Sequence, residues 1–258
     1  MVTLKGPLDW QKTVHACGRA LGLLDQKLGT TSPLQYVAIP SAYFLNLENN
    51  CCDIYIRIKK NAQEFQFVKR IHAGENFAAE DIEKYISQGL TDFYVLKEHH
   101  QNFVTFLSNQ LMTKLEKETS TLDEKIDIIG ESFVIAMDQI TELGFTPATI
   151  QLTESIIENI IKTFKYSHLS LLMLKVLNSK HGYNYQHSHL LSVVCSECLK
   201  NMEIYSEENL KNLVYAAFFH DILLTENEQL ARMRTNEELQ QADVCESDWE
   251  LVYNHALE

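Results

Sequence analysis

Three features of the sequence predict an α+β chain, a small N-terminal mixed α/β domain followed by an all-α helical bundle. Strand-like runs end before residue 100, and helical periodicity takes over from Leu122 onward. The composition is 45% hydrophobic with four prolines and nine glycines in 258 residues, as expected of a globular, helix-rich protein. Charge divides near the same place. Residues 1–125 carry 14 basic and 15 acidic side chains, a net −1, and the remainder carries 8 and 20, a net −12.

The N-terminal domain is assigned to residues 1–121. Leu8 to Leu28 has helical character and is followed by a Gly-Thr-Thr-Ser-Pro break at 29–33. Gln35–Ile39, Asp53–Ile58, Glu64–Ile71 and Asp92–Leu96 are β-branched or aromatic and partly alternating, so they read as strands of one small sheet. Glu80–Gln88, ended by Gly89, and His99–Leu115 read as helices. No ligand motif identifies an input for this domain, which is read as regulatory and as a surface for protein partners. The charged stretch Lys114–Thr121 reads as the junction between domains or as the solvated start of a connecting helix.

The helical domain is assigned to residues 122–258. One helix runs from Asp123 to Leu143 and stops at Gly144; Thr146 and Pro147 then supply an N-cap and a first-turn proline for the next, to Phe164. Further helices are expected at about 168–178, 184–202, 206–224 and 246–258.

Several function classes are set aside. There is no glycine-rich phosphate loop, nucleophile elbow or internal repeat. The start of the chain lacks an apolar signal region and no stretch approaches a membrane span, so a cytoplasmic protein without membrane partners is expected. The acidic C-terminal half should repel DNA. The six cysteines, Cys17, Cys51, Cys52, Cys195, Cys198 and Cys245, fit reduced thiols better than a disulfide framework, and the lone Cys195/Cys198 pair reads as packing within a helix.

The chemistry is concentrated in histidines. His220 and Asp221 lie in Leu213-Val-Tyr-Ala-Ala-Phe-Phe-His-Asp-Ile-Leu-Leu224, a run otherwise almost wholly apolar. A helix apolar all round is buried, and a buried carboxylate costs several kcal/mol unless a cation or hydrogen bonds compensate it. On the helix near Asn184, His187 shares a face with Leu190, Leu191, Val194 and Cys198, so it is expected to point inward. His189, in line with Ser192, Ser196 and Lys200, is expected to face water. His255, in Asp248-Trp-Glu-Leu-Val-Tyr-Asn-His-Ala-Leu257, is the third histidine of the set. His187, His220, Asp221 and His255 together make a candidate metal-ligand set. His99 and His100 read as a solvated turn, and His15 and His72 carry no signal.

The spacing, 33 residues from His187 to His220 and 34 from Asp221 to His255, resembles the HD superfamily of metal-dependent phosphohydrolases. Tyr183-Asn-Tyr-Gln-His-Ser188 is similar to the Tyr-Thr-x-x-His-Ser entry of the HD-GYP branch, which hydrolyses the bacterial second messenger cyclic di-GMP. Ala216-Ala-Phe-Phe-His-Asp-Ile222 and Asp248-Trp-Glu-Leu-Val-Tyr-Asn-His255 resemble that branch too. The resemblance covers about residues 180–258 and implies an HD-type bundle with two divalent metal ions, iron or manganese. It also implies Asp221 as the bridging, catalytic ligand, His187, His220 and His255 as terminal ligands, and a cyclic dinucleotide or other nucleotide as substrate.

The chain departs from the pattern where Leu223 and Leu224 stand for the usual Gly-Lys and Ala256 for the usual Pro. The downstream His-His, Asp and Gly-Tyr-Pro elements do not occur before Glu258, so the bundle is expected to be incomplete at its C-terminus. Two alternatives to a cyclic di-GMP phosphodiesterase stay open: a weak or inactive HD-like signalling or sensor module, and an HD phosphohydrolase acting on other nucleotides.

Overall fold

The computed structural model describes residues 35–59, 65–117, 121–225, 227–233, 235–242 and 244–254. Within them the α+β architecture holds: four strands first, helices afterwards. The expected helix over Leu8–Leu28 lies outside the described residues.

Strands β1 (Tyr36–Pro40), β2 (Ile54–Lys59), β3 (Phe65–Ile71) and β4 (Asp92–Leu96) form an antiparallel sheet in the order β1-β4-β2-β3. Alternation sends Ile39, Ile54, Phe93 and Val95 to the buried face, because successive side chains on a strand point to opposite faces. On the other face β2 meets β4 in register at Tyr55↔Tyr94. Tyr36 of β1 stacks on Phe67 of β3, with centroids 4.1 Å apart, although their strands are not neighbours.

The buried face is covered by a 3-10 segment (Ser41–Asn46), by α1 (Ala79–Ser87) and by α2 (His100–Glu116). Helix α2 buries Phe103, Leu107, Leu111 and Leu115, a strict four-residue spacing that makes one apolar stripe. It also packs against α3 (Leu122–Leu143) and α4 (Pro147–Tyr166), so one apolar core runs from Ile39 in the sheet to Phe218 in the bundle. His100 is mostly buried and 4.0 Å from Glu142, so the expected solvated turn is corrected there: His100 opens a helix that packs on α3.

Both long helices start as the sequence dictates. Thr121 and Glu124 form a reciprocal capping box for α3, Gly144 ends it at φ 74°, and Thr146 caps α4 with Pro147 in its first turn. Helices α5 (Leu169–Leu177), α6 (Tyr183–Lys200) and α7 (Glu207–Phe219) follow, with α6 and α7 side by side. A 3-10 turn (Ile222–Leu224) leads to α8 (Glu228–Arg232), α9 (Asn236–Gln241) and α10 (Glu246–Asn254). Leu224, Leu230, Ala231 and Leu239 form a small separate core with Tyr183 and Trp249 packed against it. That core fixes the turn after α7 beside the start of α6. Among the described residues no helix is long and apolar enough to cross a membrane.

Two expectations about the helices are corrected. The helix expected over 206–224 ends at Phe219, and Asp221 leaves helical geometry at φ −109°, ψ 21°. Asp is a poor helix former, and the Thr225 hydroxyl donates to the Ile222 carbonyl at 2.7 Å, closing a turn in place of another helical turn. The run is also not buried all round, because Ala216 and Leu223 are exposed.

The second correction concerns α6, whose buried face is Tyr185, Ser188, His189, Ser192, Val193, Ser196 and Leu199. His189 is therefore fully buried, whereas Val194 and Cys198, expected inside, are exposed. Serines are small enough to let neighbouring helices approach closely, and Ser192 returns its hydroxyl to the Ser188 carbonyl at 2.8 Å, so this face is buried without being apolar. Hydrophobic periodicity alone selects the wrong side of this helix.

Candidate metal centre

The end of α7 and the first turns of α6 bring His187, His220 and Asp221 together. One potential ligand atom from each lies within 4.8 Å of the others. Asp221 Oδ2 is 3.0 Å from His220 Nε2 and 3.7 Å from His187 Nε2, and the two imidazole rings are 5.0 Å apart at 50°. The departure of Asp221 from helical geometry aims its carboxylate back at both rings. Its side chain is 11% exposed, so the charge is largely removed from water.

Hydrogen bonding fixes the state of His220. Its Nδ1 lies 2.9 Å from the carbonyl of Ala217, and a carbonyl can only accept, so Nδ1 carries the hydrogen. In the neutral ring Nε2 is then a bare lone pair, and it is buried with no hydrogen-bond partner. At 3.0 Å that lone pair faces a carboxylate oxygen. Two electron-rich atoms at that distance repel unless a cation lies between them, and the cation is either a proton or a metal ion. Burial pulls the His220 pKa down, but Asp221 and the Ala217 carbonyl outweigh it, so the net shift is upward and a proton competes for the same lone pair. Two imidazole nitrogens and a carboxylate oxygen are a donor set suited to first-row divalent metals, and a ligating histidine whose other nitrogen donates to a backbone carbonyl is the usual arrangement. The residues present therefore fit a metal ion.

Neighbouring residues hold this arrangement from outside. Tyr183, one helical turn before His187, stacks on its ring with planes 6° apart and centroids 5.2 Å apart. Asn184 Nδ2 donates to the Thr225 carbonyl at 3.3 Å, tying α6 to the turn after Asp221. Leu224, in the position where the resembled family carries lysine, is buried in the small core.

Of the sequence-derived set, His187, His220 and Asp221 converge, and His255 lies outside the described residues. Cys195 is half-buried and Cys198 exposed, and neither belongs to a cluster of potential metal ligands among the described residues. The stack of Tyr183 on His187 was open to sequence reading through the i, i+4 spacing, whereas the Arg232 guanidinium over the Tyr183 ring had no sequence signal.

No protein-family model matches the chain, and no curated protein matches it. A solved structure described as an HDG"Y"P protein from Bdellovibrio bacteriovorus is similar at a TM-score of 0.49 and 16% identity, over 84% of this chain and 68% of that one. Likeness at that level assigns neither residues nor activity.

Proposed function

We propose that this chain is a metal-dependent phosphohydrolase of the HD type, with His187, His220 and Asp221 as metal ligands and His255 as a fourth. The observation that carries the reading is the buried His220 Nε2, locked by Ala217 as a lone pair and directed at the Asp221 carboxylate. A largely buried carboxylate facing that nitrogen calls for a cation between them, and a metal ion is the cation this reading assigns. The sequence resemblance supports two ions, iron or manganese, and a cyclic dinucleotide such as cyclic di-GMP, or another nucleotide phosphoester, as substrate.

Divalent metal at such a site supplies positive charge that polarises a phosphoester and lowers the pKa of water. The chain's own residues bind and orient. Asp221 would be the catalytic ligand: its Oδ2, 3.0 Å from His220 Nε2 and 3.7 Å from His187 Nε2, would hold the metal between them. His220 is fixed in its tautomer by Ala217. Positive charge here would also offset the acidic half of the chain, net −12, for an anionic substrate.

One observation favours the alternative of a metal-binding signalling module without turnover. Leu224 anchors a small apolar core where the resembled family has a lysine that could meet phosphate. A single assay separates the two readings: metal-replete full chain incubated with cyclic di-GMP, with a mononucleotide, and with bis-p-nitrophenyl phosphate. Hydrolysis of any of them that disappears in His220→Ala supports the enzyme. Hydrolysis surviving that substitution contradicts the site, and metal binding without hydrolysis selects the signalling module.

A further inference from the structure

We infer that Tyr183 is a positioning residue that sets the plane of the His187 imidazole for metal binding, and that Glu228 and Arg232 hold Tyr183 in that role. The inference rests on the metal-centre reading.

The stack forms one continuous series. The Tyr183 ring lies parallel to the His187 ring at 5.2 Å, and the Arg232 guanidinium carbon lies 4.7 Å from the Tyr183 centroid. A cation within about 6 Å of an aromatic face is attracted by the ring quadrupole, so Arg232 favours the tyrosine orientation that stacks on His187. Glu228 joins the series to the backbone. Its Oε1 accepts from the Tyr183 amide at 3.0 Å and from Arg232 Nη2 at 2.6 Å and Nε at 3.1 Å. A single carboxylate thus fixes both the start of α6 and the cation above the ring.

Gly182 lets the clamp close. A Cβ there would stand 3.3 Å from Glu228 Oε2, tighter than ordinary contact, so the residue before Tyr183 is one that lets the carboxylate come close. The His187 ring also lies 5.0 Å from the His220 ring, tilted at 50°. The ring therefore has an aromatic face and a fellow candidate ligand as neighbours. His187 is the more exposed of the two histidines, 34% against 27%, so holding its orientation matters for affinity. Outer groups that orient a ligating histidine typically change metal affinity by about 10–100-fold when removed.

Metal-free full-length protein titrated with Zn²⁺ against a chromophoric chelator, and with Co²⁺ by its visible absorption, tests this directly. Tyr183→Phe keeps the stack and should bind within about twofold of the unmodified chain. Tyr183→Leu removes it and should bind about 10–100-fold more weakly, with an altered Co²⁺ spectrum. Arg232→Gln, at a side chain more than half exposed and so tolerant of replacement, should weaken binding several-fold while leaving the metal-free melting temperature unchanged. A purely structural role for Tyr183 would lower melting temperature without changing the affinity of the folded protein. Folded Tyr183→Leu with unmodified affinity and spectrum overturns the inference, and if that variant does not fold, unchanged affinity in Arg232→Gln overturns it instead. Failure of the unmodified chain to bind either ion refutes the metal-centre reading, and the positioning role with it.

Discussion

Two histidines whose Nε2 atoms are buried, His220 at the end of α7 and His189 in the middle of α6, have the same internal arrangement and different surroundings. Each has Nδ1 engaged, His220 with the Ala217 carbonyl at 2.9 Å and His189 with the Tyr185 hydroxyl at 2.8 Å. Tyr185 in turn donates to the Ile126 carbonyl at 3.0 Å, so its oxygen receives the His189 hydrogen. Each therefore presents a buried Nε2 lone pair with no hydrogen-bond partner. They differ in what faces that lone pair. His220 has a carboxylate at 3.0 Å, and burial alone dominates at His189, pushing its pKa down to about 3. A buried histidine becomes a candidate ligand when an anion stands opposite its lone pair. Without one it is a neutral packing residue.

The largest effect that could break this contrast is on metal affinity. Asp221→Asn removes the anion while keeping the shape, and should weaken Zn²⁺ binding at least about 100-fold, in the range seen when a buried charged group loses its partner. His189→Gln should leave that affinity within about twofold, because the carboxylate that defines the site lies elsewhere. Equal losses in the two variants, measured by isothermal titration calorimetry, would erase the distinction between the two histidines.

A smaller effect sharpens the other side of the comparison. His189 has its pKa depressed in the folded protein, so the unfolded chain binds a proton near pH 6.5 that the folded chain refuses. Stability from this group is thus present above about pH 6.5 and is lost as pH falls below it, down to about pH 3. Between pH 7.5 and 5.5 the loss is about 1.4 kcal/mol by that linkage. Urea unfolding of metal-free protein at both pH values should show it, and His189→Gln should flatten the dependence. An equally steep dependence in the variant would show that His189 is not the buried neutral group.

Much of the fold was legible because local chemistry and tertiary packing agree. The strand runs from Gln35 to Leu96, the Gly144 stop and the Thr146-Pro147 start lie where their residues dictate. The convergence of His187, His220 and Asp221 was legible through residue types. What periodicity could not supply was orientation. On α6 the packed face is built from Ser188, Ser192 and Ser196, so hydrophobicity points to the opposite side and misplaces His189. At Asp221 the turn depends on hydrogen bonds of Thr225, which a run of apolar residues does not announce. Arg232 reaches Tyr183 from 49 residues along the chain, a contact set by tertiary packing around Leu224 and Leu230.

The central claim, that the His220 lone pair and the Asp221 carboxylate are held apart for a metal cation, is tested most directly by elemental analysis of the full-length protein purified without chelators. At least one iron, manganese or other first-row divalent ion per chain is predicted, falling to trace levels in His220→Ala. Less than a tenth of an ion per chain, unchanged after incubation with excess Fe²⁺, Mn²⁺ or Zn²⁺ and desalting, would contradict it and leave the proton as the cation between the two groups.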